Sequence, residues 1–142
     1  DNVSYDPFLS SQNEAPKAPG MKYKHYAPDA PMRAFIGNSK DVAEAFNNVI
    51  REQETKRGAF LVSQETYDLL KDSVHGEFHV YGHSGDAVAL AHDFYKTLHH
   101  FNECDVDYIL AEGVENTGLG VAVMNRMEKA CAGHIIYLSA IR

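Results

Sequence analysis

The sequence predicts an α/β domain of the three-layer, Rossmann-like or flavodoxin-like class, with a mainly parallel five-stranded sheet, preceded by an extended linker arm. All five prolines lie within residues 1–31, and from residue 32 onward short apolar runs alternate with segments of helical periodicity. Strands that alternate with helices in this way form crossover units, which cover both faces of a parallel sheet. The chain is therefore divided into an arm over residues 1–31 and an α/β domain over residues 32–142.

The first half of the domain begins with a strand over residues 32–36, a short apolar run that ends at a glycine. Ser39 is the predicted N-cap of a helix that extends to about Thr55, because the apolar residues recur there every three or four positions. A second apolar run, residues 59–62, follows a glycine and is the second strand. Ser63 then caps a short helix.

The second half repeats the same alternation. Residues 78–81 are the third strand, and Ser84 caps a longer helix with an apolar face. Residues 108–111 are the fourth strand. The last helix is predicted to open at Asn116 or Thr117, both of which are favourable capping residues.

A fifth strand over residues 134–138 follows Gly133, which ends the last helix. The core is predicted from strands buried on both faces and from the sheet side of each helix. Its expected members are Phe35, Phe60, Val62, Val80, Leu90, Phe94, Ile109, Leu110, Val121 and Ile136.

Length and composition limit the function classes. The 142 residues fit one domain, and no apolar run approaches the roughly 20 residues that cross a bilayer, so no membrane association is expected. With no signal peptide at residue 1, we expect a cytoplasmic protein with reduced thiols. Cys104 and Cys131 form no CxxC pair, and no base is positioned beside either, so no catalytic residue is predicted.

The fourth strand is followed by a glycine-rich turn over residues 112–120, which opens the last helix. Such a turn can hold phosphate against a helix N-terminus. The dinucleotide fingerprint requires Gly or Ala three residues after Gly120, where this chain has Val123, and Glu112 and Glu115 would repel phosphate. Tight packing of the helix on the sheet is therefore favoured, and a phosphate site is the alternative.

Eight histidines raise the question of a metal site. His79 and His83 flank the end of a predicted strand, whereas His99 and His100 are adjacent at the end of a helix and so point apart. The sequence shows no carboxylate or cysteine at a zinc spacing beside them, so no metal site is predicted. A metal-binding regulator is the weakest of the functions considered.

The arm carries an unusual run, PGMKYKHYAP, at residues 19–28. Its prolines and glycine favour an extended chain, in which alternate residues share a face. Lys22, Lys24 and Tyr26 then point one way, and Tyr23 and His25 point the other. These ammonium and phenol groups suit an anion, although a solvated linker with chance aromatics explains the same composition.

The distribution of charge supports a small anionic ligand. Residues 15–28 carry three lysines and no acid, whereas the other 128 residues carry 10 basic and 20 acidic residues, and the net charge is −7. Nucleic-acid binding requires a broad basic surface, so no direct nucleic-acid partner is predicted. A basic arm on an acidic domain indicates an anionic ligand or the acidic cleft of a partner.

Two segments carry a resemblance to a known family. PGMKYKHYAP resembles the interdomain segment of the long, two-domain threonylcarbamoyl-AMP synthases, whose N-terminal domain is YrdC-like. GLGVAVMNRMEKA, at residues 118–130, is similar to the C-terminal signature of that family. The order of strands and helices between them also fits, so the resemblance covers about residues 15–138.

The resemblance implies that the chain is the linker and C-terminal domain of such an enzyme. The full enzymes join L-threonine, bicarbonate and ATP, with Mg, into threonylcarbamoyl-adenylate and pyrophosphate for threonylcarbamoyladenosine formation in tRNA. The catalytic domain lies upstream, so this chain alone is expected to be inactive and to bind no cofactor. The linker folds over the catalytic cleft, and the resemblance places nucleotide contacts at Lys22, Tyr23, Lys24, His25 and Tyr26.

A second function, from another class, is a stand-alone flavodoxin-like module that binds a small ligand at the carboxyl ends of its strands. The two functions make different predictions. A lid needs the arm beside another domain, whereas a stand-alone module binds its ligand through residues 32–142 alone.

Overall fold

The computed structural model describes residues 27–138, and the order of elements matches the predicted one. The elements are β1 (Met32–Ile36), α1 (Ser39–Glu52), β2 (Gly58–Val62), α2 (Gln64–Leu70), β3 (Glu77–Val80), α3 (Ala87–Glu103), β4 (Tyr108–Glu112), α4 (Gly120–Ala130) and β5 (Ile135–Tyr137). The predicted α/β class is confirmed.

The five strands form one sheet in the order β3-β2-β4-β1-β5, and every neighbouring pair is parallel. β1 and β4 are adjacent in the middle, in a register that places Met32 opposite Ile109. β3 and β5 are the two edges. Because all strands run the same way, their carboxyl ends meet along one edge of the sheet.

The sheet is covered on both faces, which gives the predicted three layers. Side chains alternate along each strand, so neighbouring residues of β4 belong to different halves of the core. Ile109 and Ala111 pack with α3 and α4, whereas Tyr108 and Leu110 pack with α1 and α2. Each layer of helices is a side-by-side pair, α1 with α2 and α3 with α4.

An aromatic cluster fills the half of the core under α1 and α2. Phe60 is fully buried at its centre, with ring centroids 6.0 Å from Phe46, 5.0 Å from Phe78 and 6.1 Å from Tyr108. These distances and tilted orientations are favourable for aromatic pairs. A Cβ placed on Gly76 would lie 2.6 Å from the Phe60 ring, so the ring packs directly against backbone there.

The helix caps agree with the prediction in one case of four. Ser63 caps α2 as predicted, and its hydroxyl accepts a hydrogen bond from the Thr66 N–H. The caps of α1 and α3 are Asn38 and Asp86, each one or two residues from the predicted serine. Asn and Asp are as effective as Ser at this position, so sequence alone does not choose between neighbouring candidates.

The last helix begins later than predicted. Residues 116–119 form a turn, and α4 starts at Gly120 rather than at Asn116 or Thr117. Gly118 has a φ of +54°, in the left-handed region, which interrupts any helix that includes it. The N–H of Gly120 donates to the Thr117 carbonyl and closes the turn.

Seven of the ten predicted core residues are buried, and three are not. Val80 is only partly buried, because β3 is an edge strand. Ile136 is 37% exposed on β5, the other edge. Val121 is 49% exposed, because the buried stripe of α4 follows Val123 and its helical neighbours instead. Val121 was placed in the core because it precedes the apolar Met124 by three residues, a spacing that is typical of one helix face. The buried face of α4 is centred on other residues, so this prediction was wrong.

Two further findings concern residues 27–138. Both cysteines are free thiols; Cys131 is buried and Cys104 is partly exposed. Within this range no helix combines the length and apolar character that crossing a membrane requires.

Candidate functional site

The predicted contact residues of the arm, Lys22, Tyr23, Lys24, His25 and Tyr26, lie outside the described residues. They remain a prediction from sequence, and the structure describes only how the following segment joins the domain.

The segment after the arm is held at the amino edge of the sheet. The Asp29 N–H donates to the Asn102 side chain, near the end of α3, at 3.0 Å. The Pro31 carbonyl accepts a hydrogen bond of 2.9 Å from the Ile109 N–H, which extends the pairing of β1 with β4 by one residue. The chain therefore enters β1 already fixed to the sheet.

An open cavity of about 860 Å³ lies at the opposite edge, beyond the carboxyl ends of the strands. It is bounded by the ends of β1, β4 and β5 and by the first turns of α3 and α4. The chain leaves β1 toward α1 on one face of the sheet and leaves β4 toward α4 on the other face. A crevice between two such strands is the usual ligand position in open α/β sheets.

The cavity wall carries carboxylates but no basic side chain among the described residues that line it. Asp86 and Glu115 are its charged groups, and Ser84, Asn116 and Thr117 are among its uncharged polar groups. An anion placed there would face two carboxylates without a neutralising side chain. This agrees with the sequence analysis, in which a phosphate site at the glycine-rich turn was the less favoured interpretation.

The glycines of the turn allow close packing, as the favoured interpretation predicted. A Cβ on Gly120 would lie 2.1 Å from the Glu115 carbonyl oxygen, and one on Gly113 would lie 2.9 Å from Ile36. A side chain at either position would collide with its neighbours, and at Gly120 the neighbour is backbone. These glycines let α4 start directly against the ends of the strands.

Glu112, which the sequence analysis placed beside a possible phosphate, faces the other side of the sheet. It is 1% exposed, and its Oε1 accepts a 2.8 Å hydrogen bond from the Ser63 N–H. Burial raises the pKa of the Glu112 carboxyl, although hydrogen bonds from Ser63 and Thr66 oppose the shift. Glu112 thus links the end of β4 to the cap of α2 and does not line the cavity. Side chains alternate along a strand, so Glu112 lies on the same face as Tyr108 and Leu110. This alternation could have predicted from sequence that Glu112 faces away from the cavity.

We expect Glu112→Gln to stabilise the domain at neutral pH. The folded state holds the carboxyl proton to a higher pH than the unfolded chain, so wild-type stability falls as pH rises from the unfolded pKa to the raised folded pKa. Gln keeps an acceptor for the Ser63 N–H and carries no charge. The stability difference between variant and wild type should therefore grow with pH, by about 1.4 kcal/mol for each unit of the shift.

The measurement is urea unfolding of both proteins between about pH 4 and pH 8. Glu115→Gln, on the exposed side of the same turn, is the matched control and should unfold like the wild type. A difference that is constant over this range, or that grows as pH falls, would contradict the assignment.

The histidines are distributed over several separate contacts. His79 contacts Asp93 at 2.7 Å, and His83 contacts Glu65 at 3.2 Å. His99 and His100 point apart, as predicted; His100 lies beside Cys104. The sequence analysis missed this pair, which a spacing of four residues on one helix face would have revealed.

Comparisons with known proteins give one consistent family. A family model described as the threonylcarbamoyl-AMP synthase C-terminal domain matches residues 2–132. The threonylcarbamoyl-AMP synthase of Bacillus subtilis (strain 168) is 37% identical over 138 residues, which cover 94% of this chain and 37% of the relative. That of Pyrococcus abyssi is 40% identical over 122 residues, which cover 84% of this chain and 33% of the relative. The chain thus spans about a third of each relative.

Two solved structures show the same architecture. The P. abyssi Sua5 protein in complex with L-threonine matches with a TM-score of 0.66 and 32% identity, over 96% of this chain and 38% of that one. A P. abyssi Sua5 variant with an adjacent His and Tyr replaced by alanine matches with a TM-score of 0.59 and 29% identity, over 98% of this chain and 38% of that one.

Proposed function

The chain belongs to the threonylcarbamoyl-AMP synthase C-terminal domain family, and from this premise we propose that it forms the lid of a two-domain synthase. The proposed reaction joins L-threonine, bicarbonate and ATP, with Mg, into threonylcarbamoyl-adenylate and pyrophosphate, in the cytoplasm, for tRNA modification. The proposed partner is a YrdC-like catalytic domain upstream. The relatives support this arrangement, because nearly two thirds of each lies outside the match.

The observation that carries the lid proposal is the sequence of the arm. The family match begins at residue 2, so it includes the arm as well as the α/β domain. The P. abyssi variant has an adjacent His and Tyr replaced, and this chain has one such pair, His25-Tyr26, in the centre of its basic run. The P. abyssi complex with L-threonine supports threonine as a substrate.

The chemistry of the arm suits closure over a nucleotide. In the predicted extended chain, alternate residues share a face, so Lys22 and Lys24 would supply ammonium donors and Tyr26 a hydroxyl donor on one side. Charge-assisted hydrogen bonds to phosphate or carbonate oxygens are stronger than neutral ones. Closure also excludes water from the product, a mixed anhydride that water would hydrolyse.

We expect this chain alone to release no pyrophosphate from ATP in the presence of threonine and bicarbonate. Catalysis requires both substrates to be positioned together, and the domain proposed to hold them lies outside this chain. The measurement is pyrophosphate release by the 142-residue chain and by a protein that extends upstream to include the catalytic domain. Turnover by the clean 142-residue chain would overturn the lid proposal.

A stand-alone ligand-binding module is the second candidate, favoured by the cavity at the carboxyl ends of β1 and β4. Its position is the one that small ligands occupy in this class of fold. Nucleotide binding by residues 27–138 without the arm would support this function. Nucleotide binding that requires both the arm and the upstream domain would support the lid.

A further inference from the structure

A mixed group of potential metal ligands lies at the end of α3, far from the cavity. It consists of Glu77 at the start of β3, His100 in the last turn of α3, and Cys104 at the C-cap of that helix. One ligand atom from each lies within 4.8 Å of the other two. Glu77 and Cys104 are partly exposed and His100 is exposed, so an ion can reach them from solvent.

The spacing of His100 and Cys104 matches that of two ligands on one tetrahedral ion. The two residues are four apart, and Cys104 keeps a helical conformation, with φ −89° and ψ −3°, so their side chains share a face. The distance from His100 Nε2 to Cys104 Sγ is 3.5 Å. Bonds of about 2.0–2.1 Å to nitrogen and about 2.3 Å to sulfur at a tetrahedral angle place these atoms about 3.6 Å apart.

The donor types and the helix end both favour a divalent cation. Thiolate, imidazole and carboxylate are the three ligand types that Zn²⁺ uses, and three protein ligands leave a fourth position for water. The C-terminus of α3 carries the negative end of the helix dipole, which attracts a cation within the last turn. The Cys104 thiol must lose its proton to bind the ion, and that proton goes to solvent.

One neighbour opposes the ion. The Arg57 guanidinium contacts Glu77 Oε2 at 3.1 Å and competes for this carboxylate. Its positive charge also lies close to the ion position. Removal of Arg57 should therefore strengthen metal binding, which is a change opposite in sign to removal of a ligand.

We propose that Glu77, His100 and Cys104 form a Zn²⁺ site with an open fourth position. The sequence analysis predicted no metal site, because it did not pair His100 with Cys104. The site lies at the amino edge of the sheet, near the Asn102 side chain that holds the segment after the arm. The proposal is independent of the lid function, because it rests on the α/β domain alone.

The test is titration of the reduced 142-residue chain with Co²⁺, followed by displacement with Zn²⁺. We expect one equivalent of Co²⁺ to produce a thiolate-to-metal charge-transfer band together with the visible bands of a tetrahedral ion, and Zn²⁺ to abolish both. Cys104→Ser should remove the charge-transfer band. His100→Ala should weaken metal binding by more than about tenfold. Loss of a residue that only hydrogen-bonds a metal ligand already costs about tenfold or more, and His100 is a direct ligand in this proposal.

Matched controls separate this site from other residues of the same type. His99→Ala removes the neighbouring histidine, which faces Glu103, and Cys131→Ala removes the buried cysteine; both should keep the bands. Arg57→Gln should tighten binding. The proposal is overturned if wild-type protein shows no charge-transfer band, if Cys104→Ser retains it, or if His99→Ala and His100→Ala weaken binding equally.

Discussion

Tyr26→Phe and Lys24→Ala, each placed in a two-domain synthase that contains this chain, are expected to slow adenylate formation by roughly tenfold or more. Each variant removes one of the proposed hydrogen bonds to phosphate or carbonate oxygens, and a hydrogen bond to a charged group contributes about 1.5–3 kcal/mol. Tyr26→Phe keeps the ring, so it separates the hydrogen bond from packing. Lys24→Ala tests the charge, and deletion of residues 19–28 should have the largest effect.

The measurement is the rate of pyrophosphate release together with the melting temperature of each variant. The melting temperature should stay close to that of the wild type, because these positions precede the first strand of the α/β domain, which begins at Met32. Lys17→Ala, a basic residue of the arm outside the motif, is the matched control and should keep the wild-type rate. Wild-type rates in Tyr26→Phe, Lys24→Ala and the deletion would show that the arm is only a tether.

Phe60→Ala is expected to lower the free energy of unfolding by about 3–5 kcal/mol. The ring is fully buried and contacts three other aromatic rings, so its loss opens a cavity in the half of the core under α1 and α2. Gly76, where an added Cβ would lie 2.6 Å from the ring, directly precedes β3, so the backbone there cannot move far enough to close the gap completely. A loss of this size is a large part of the 5–15 kcal/mol that stabilises a typical domain.

Urea unfolding of the 142-residue chain measures this effect. Phe60→Leu, which refills most of the space, should cost clearly less than Phe60→Ala. Tyr137→Ala removes an aromatic side chain that is 59% exposed on β5 and should change stability by less than about 1 kcal/mol. A loss below about 1 kcal/mol for Phe60→Ala would show that Phe60 is not central to the core.

The order of strands and helices could be predicted from the sequence because each depends on local patterns. Ser63, for example, stands between an apolar run and a polar turn of helix, and both neighbours identify it as a cap. The order of strands in the sheet depends on which strands pair after each crossover helix. Local sequence patterns contain no information about this pairing. Ile136 was assigned to the core because its run is apolar, although its strand is an edge.

The candidate sites differ in the same way. The arm was identified from ten contiguous residues, so its prediction needed no fold. The cavity is built from the ends of three strands and the starts of two helices. Of these segments, the sequence indicated only the turn over residues 112–120 as a possible ligand site. His100 and Cys104 are close in sequence, yet Glu77 joins them only because β3 begins beside the end of α3.

The position of β1 also has a mechanical consequence. The segment after the arm enters the amino end of this strand, which is hydrogen-bonded to β4 on one side and β5 on the other, and Ile36 at its far end lines the cavity. A pull directed along the axis of β1 would load both sets of hydrogen bonds in shear, so they would resist together instead of opening one by one. The strand is roughly 16 Å long, at about 3.3 Å per residue, and would transmit force with little extension from the segment after the arm to the opposite edge of the sheet. Tension applied along β1 would therefore be carried to its far end, where Ile36 lines the cavity.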